Sequence, residues 1–237
     1  MESLVFAMAT DPNRNRPSQV DRGCADPSDE PAVLGAARAL LGRIIVGHGV
    51  AAAITEVEAY NGPDDPASHA FKRTKRSEIM YGPPYRLYVY QIHTHHCANV
   101  VTSPLGQGAA VLLRAARIVD GLETARARRG DVPDQRLARG PGNLTRALGI
   151  TKADLDTDLL DETGVHLRDA GTLESGPSGS GPSESGSEGS GLIAAPRSIS
   201  AGPRVGVRLA ADRPWRFWIT DDPSVSPYRR HPRAEPA

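Results

Sequence analysis

The chain has 237 residues, 28 Lys plus Arg against 28 Asp plus Glu, and only two cysteines. That length suits one large domain or two small ones with an ample apolar core, while two cysteines exclude a disulfide framework and make a reducing, intracellular setting the default. LVFAMA near the N-terminus is too short for a signal core or a membrane span, so nothing here directs the chain to a membrane.

The zero net charge conceals a strong asymmetry. Residues 1–31, poor in apolar periodicity, carry a net −3 and read as a disordered tail. The segment 171–191 (GTLESGPSGSGPSESGSEGSG) reads as a flexible insert, and residues 151–191 together carry −7. The remainder holds 23 basic against 13 acidic residues, +10, which favours a polyanionic partner. One domain over 32–230 is expected, with 231–237 as a second short tail.

In chain order, PAVLGAARALLGR (31–43) places Leu34, Ala37, Leu40 and Leu41 at helical spacing, with Gly42 to end the helix. RIIVG (43–47) and VAAAITEVEAY (50–60) flank His48-Gly49 and predict a β-hairpin. NGPDDP (61–66) is turn chemistry; it leads to a loop with His69 and the basic run Lys72-Arg73-Thr74-Lys75-Arg76. Ser77 to Tyr81 predicts a short helix stopped by Gly82-Pro83-Pro84. Two strands, about 86–92 and 98–102, are joined through the histidines, and AAVLLRAARIV (109–119) predicts another. Helical patterns over 120–130 and 143–150 precede predicted strands at 202–209 and 214–221. Without regular βαβ alternation, the pattern predicts a single-domain α+β fold on a mostly antiparallel sheet with flanking helices.

Two stretches carry candidate chemistry. LYVYQIHTHHCANVV (87–101) has the composition of a metal site. Strand alternation would put His93, His95 and Cys97 on one face and His96 on the other. A zinc site needs three or four converging ligands, and no second ligand motif occurs, so no metal is assigned. In ITEVEAYNGPDDPASHA (54–70), Glu56, Glu58 and Tyr60 share one strand face. A carboxylate exposed at a sheet end there could activate water, and an aromatic could stack on a planar substrate.

Taken in order, ITEVEAYNGPDDPASHA, the basic loop, LYVYQIH…CANVV, AAVLLRA, RGPGNLTRALGI and RVGV…PWRFW resemble the alkyladenine (3-methyladenine) DNA glycosylase family. The similarity runs from about Ala32 to Ser226. The resemblance implies a curved sheet bearing a protruding β-hairpin that inserts into DNA. It implies a monofunctional enzyme that flips alkylated or deaminated purines (3-methyladenine, 7-methylguanine, hypoxanthine) out of duplex DNA and hydrolyses the N-glycosidic bond. Water is then the nucleophile, no metal or other cofactor takes part, and the partner is damaged double-stranded DNA bound by a monomer, in the cytoplasm and nucleoid of a bacterium.

By that resemblance Glu58 is the general base, Arg114 lies beside the catalytic water, and Glu56 has a structural role. Tyr60 and Tyr90 sandwich the flipped base, His69 contacts the sugar-phosphate or base edge, and Asn99 crowds the purine 2-amino position. Lys72, Arg73, Lys75, Arg76 and Arg139 are expected on the DNA backbone. The hairpin departs from the family pattern: where a tyrosine followed by glycine is usual, His93-Thr94 stands, and the segment from Tyr90 to Asn99 is one residue shorter. His93, or alternatively His95, is then the wedge that fills the gap left by the flipped nucleotide. Asn143 replaces a common basic residue. Two rival readings stay open: a damage-binding relative that does not cleave, and a metal-dependent hydrolase using the histidine cluster.

Overall fold

In the computed structural model, residues 30–170 and 198–237 are described; the expected tail 1–31 and insert 171–191 fall, but for a few tail residues, outside them. The folded unit is Pro31–Ala237. Its order is α1 (Ala32–Leu40), β1 (Ile44–Gly47), β2 (Val50–Asn61), β3 (Leu87–Ile92), β4 (His95–Val101), β5 (Ala109–Asp120), α2 (Leu122–Arg129), α3 (Pro141–Leu148), β6 (His166–Arg168), β7 (Ile199–Gly202) and β8 (Arg216–Ile219). Short 3-10 turns cross the long connection between β2 and β3. The fold is α+β, as the sequence predicts.

All pairings in the eight-stranded sheet are antiparallel, in the order β3-β4-β5-β2-β1-β6, with β8 also on β2 and β7 on β8. β2 is the central strand: its first half lies between β1 and β5, its second half between β8 and β5. The β1–β2 turn is His48-Gly49, both at positive φ (47° and 81°), the two-residue geometry that matches the strand twist.

Strand alternation divides the chemistry from the core. Leu87 and Val89 of β3, Val57 and Ala59 of β2, and Val111 and Leu113 of β5 pack with α1 (Val33, Leu34, Ala37, Leu40) and α3 (Leu144, Ala147, Leu148) in one apolar core. Their neighbours face the other way, where Tyr88, Ala110, Val101, Met80, Tyr81 and Ala70 form a second cluster with Tyr90 against it.

Three expectations change. The histidines do not all form the hairpin turn: His95, His96 and Cys97 already belong to β4, opposite Ile92, Gln91 and Tyr90, so only His93-Thr94 turns the chain. His93 takes φ 51°, filling the left-handed position that a glycine would ordinarily occupy. Residues 203–209 are not a strand; the strand is Ile199–Gly202, after which the chain turns so that Arg204 can reach buried partners. Residues 231–237, expected as a tail, hydrogen-bond along 208–212: Glu235 N–H donates to the Arg208 carbonyl, and Ala211 N–H to that of Glu235. β6, only three residues long, is too short to be read from periodicity.

Candidate active site

The site lies on the face of β2 turned away from the helices. Glu56 and Glu58 were expected at an exposed sheet end, but both are wholly buried (0% exposed) because β2 is flanked on both sides. Each survives there because donors surround it, as a buried charge requires.

Glu56 Oε1 accepts from Arg114 Nε (2.8 Å), Arg216 Nε (2.7 Å) and the Ser226 hydroxyl (2.8 Å), and Oε2 accepts from Ser226 N–H (2.7 Å). Burial opposes its ionisation, yet the two guanidiniums and Ser226 hold its pKa below the ordinary carboxylate value. Glu58 Oε1 accepts from the Val205 N–H (2.6 Å), with Arg114 Nη1 3.4 Å away, and Oε2 accepts from the Tyr60 hydroxyl (2.9 Å).

Arg114 reaches both carboxylates because the β2–β5 register slips there. Glu56 pairs with Ala115 and Val57 with Leu113, which leaves Arg114 without a cross-strand partner. Such a bulge re-aims one side chain, and here it aims a guanidinium between two acids. Burial works against the Arg114 charge, but Glu58 and Glu56 outweigh it and raise its pKa.

Beside Glu58 opens a pocket lined by Tyr60, His69, Met80, Tyr88, Tyr90 and Asn99, among others. Tyr90 meets His69 edge-on at 4.5 Å and Tyr88 at 5.6 Å. Tyr60 lies against the Arg204 guanidinium, 4.7 Å from its ring centre. Burial, then the Glu58 charge, pushes the Tyr60 phenol well above its ordinary pKa, so it stays a donor to Glu58. Burial likewise raises Tyr90. Asn99 donates from Nδ2 to the Tyr88 carbonyl (3.0 Å), which fixes its amide toward the pocket wall.

Arg76 N–H faces His69 Nε2 at 3.4 Å, so the ring proton sits on Nδ1, 3.0 Å from the Tyr88 hydroxyl. Burial, with the Arg76 charge beside it, pulls the His69 pKa down to about 4. Because that lies below the unfolded value of about 6.5, His69 adds stability above pH 6.5 that is lost as pH falls toward 4. In an NMR titration of the free protein, the His69 ring will change state near pH 4. A midpoint at about 6.5, the ordinary histidine value, would contradict this packing.

The structure thus brings Glu58, Arg114, Tyr60, His69, Tyr90 and Asn99 together, and places Arg76 at the pocket edge, 5.3 Å over the Tyr90 ring. Lys72, Arg73 and Lys75 are exposed on the adjoining loop, with Arg73 held by Glu78. Arg139 donates to the Pro223 carbonyl. His93 stands exposed at the hairpin tip. Among the described residues no three His, Cys, Asp or Glu side chains converge as metal ligands would.

Sequence reading missed the supports. Arg204 (1% exposed) donates to Asp65 (0%) and to the Ala59 carbonyl while stacking on Tyr60. Arg216 and Ser226 complete the Glu56 cluster. Arg204 and Arg216 stand inside the RVGV and PWRFW motifs, which mark them only in hindsight. Asp65 read as turn chemistry, Tyr88 and Ala110 as strand, Ala67 as loop and Met80 as part of a short helix.

The methylpurine-DNA glycosylase (MPG) family profile matches residues 28–223. A Mycolicibacterium paratuberculosis protein named "Putative 3-methyladenine DNA glycosylase" is 48% identical over 208 residues, 84% of this chain and 90% of its own length. A Mycobacterium tuberculosis protein of the same name is 48% identical over 208 residues, covering 84% and 91%. Another from Mycobacterium sp. strain KMS is 44% identical over 210 residues, covering 85% and 91%. With this coverage, this chain belongs to the methylpurine-DNA glycosylase family.

Proposed function

We propose that the protein is a DNA repair glycosylase that excises damaged purines from duplex DNA, and that Glu58 activates the attacking water. The observation that carries this reading is a fully buried carboxylate that accepts a hydrogen bond from Tyr60, a wall residue of an aromatic pocket, with Arg114 3.4 Å from its other oxygen. The names of the similar proteins point to the same class of reaction.

In this reading the purine leaves the stack and enters the pocket, between Tyr60 and the Tyr90–His69 edge. The water proton passes to Glu58 as its oxygen bonds to C1′. The C1′–N bond breaks, and its electron pair departs with the base. Negative charge on Glu58 also stabilises the oxocarbenium character that develops on the sugar. Asn99 narrows the space beside Tyr88, the position where a purine 2-amino group would sit. His93 fills the vacated stack, and Lys72, Arg73, Lys75, Arg76 and Arg139 meet the phosphates.

The direct test is excision of 7-methylguanine or hypoxanthine from duplex DNA, run with and without EDTA and with His93→Ala. Release that survives chelation, and falls about tenfold or more on loss of the wedge, is expected. Duplex binding without release would favour a damage-binding relative, and activity lost in EDTA would favour a metal-dependent hydrolase.

A further inference from the structure

The arginines of this chain are unevenly neutralised. Arg126 of α2 is held by Glu123 and Asp134, and Arg73, Arg86 and Arg208 each face an acid. Three others cluster where α2 meets α3 and, among the described residues, face none. Arg128 donates to the Ala147 and His48 carbonyls, and Arg129 donates to the Leu137 carbonyl. Arg146 is exposed on α3. Burial and the charge of Arg146 lower the pKa of Arg129, a sign of like charges left uncompensated.

Two of them, Arg128 and Arg146, border a groove. Its walls are Thr94 and His95 of the hairpin, Arg128 of α2, Gly142 and Arg146 of α3, and Thr151. Asp154, which accepts from the N–H of the wall residue Thr151 (2.7 Å), is also engaged by His48 Nε2 (2.9 Å). The hairpin is fastened to this wall. The Thr145 hydroxyl donates to the His96 carbonyl (2.9 Å). A Cβ on Gly142 would stand 2.9 Å from that of His95, so only glycine admits this approach.

We propose that this groove seats a backbone phosphate of the bound DNA strand, with Arg146 as its mobile ligand and Arg128 as its fixed positive wall. The proposal rests on the glycosylase reading and assigns a second phosphate surface, on the other side of the hairpin tip from the pocket loop. Arg128 is tied at both ends to carbonyls, so it contributes field more than contact; Arg146 has no competing partner among the described residues and can close on an anion.

The test is fluorescence anisotropy on a duplex carrying an abasic-site analogue, across a salt series. Arg146→Ala is expected to weaken binding about three- to tenfold near 0.1 M salt and to lower the salt slope by about one. Arg146→Glu is expected to weaken it further. Arg168→Ala controls for net charge alone, since β6 lies at the far end of the sheet path from β3, and it is expected to leave the slope unchanged. Arg146 is exposed on a helix, so melting curves of its variants are expected to overlay those of wild type. An unchanged slope in Arg146→Ala, or an equal drop in Arg168→Ala, overturns the groove. Absence of salt-dependent duplex binding by wild type is a separate result: it overturns the glycosylase reading, and the groove with it, before any variant is made.

Discussion

Glu58→Gln is expected to slow single-turnover base release by about 10²- to 10⁴-fold while duplex affinity stays within about threefold. The substitution keeps the shape of the site. The glutamine carbonyl can still accept from the Val205 N–H and from Arg114, and its amide can face a Tyr60 hydroxyl that turns to accept. What disappears is the capacity to take a proton and, in the proposed mechanism, the negative charge facing C1′. Single-turnover excision with enzyme in excess is the measurement. A rate within a few-fold of wild type would place the base elsewhere.

Glu56→Ala is expected to cost stability instead. One carboxylate neutralises two buried arginines, Arg114 (6% exposed) and Arg216 (4%), and anchors Ser226 through both hydroxyl and backbone. Removing it leaves Arg216, among the described residues, with the Ser226 carbonyl and the face of Trp218. Breaking a buried pair in this way costs about 3–5 kcal/mol, or roughly 10 °C of melting temperature for a domain of this size. Because the folded pKa of Glu56 is lowered, its contribution is complete above the unfolded carboxylate value of about 4.3. It is lost as pH falls through the folded value, so the deficit of Glu56→Ala should shrink in acid. Thermal melts at neutral and acid pH check both parts; a variant as stable as wild type at pH 7 would show that the cluster is dispensable.

Much of the fold is written locally. His48-Gly49 between two β-branched runs names a hairpin, and Pro141 and Gly149 bracket α3 at the positions helix ends favour. The same local reading fails at 203–209, where valine alternation suggests a strand but Arg204 turns the chain toward Asp65, 139 residues away in sequence. It also misplaces the carboxylates. Glu-x-Glu-x-Tyr gives their common face correctly, but their burial depends on β8, which joins β2 from more than 150 residues downstream. The bulge that frees Arg114 has no local signature, because it is a property of two strands in register rather than of either alone. Tyr60 reads as a stacking aromatic from its place beside the carboxylates, but only the family resemblance gave Tyr60 and Tyr90 a flipped base to sandwich; alternation gives their face but not what they face.

The hydrogen bond from Tyr60 to Glu58 has a consequence for selectivity under the proposed mechanism. The ring proposed to receive the base and the carboxylate proposed to receive the proton are joined through one hydroxyl at 2.9 Å. On that reading, a purine that seats badly would tilt Tyr60 and so alter the donor on Glu58 at the moment the water must be deprotonated. Discrimination among bases would then fall on the turnover step rather than on occupancy: an undamaged purine that gained entry would be held in front of a detuned base and return to the helix uncut.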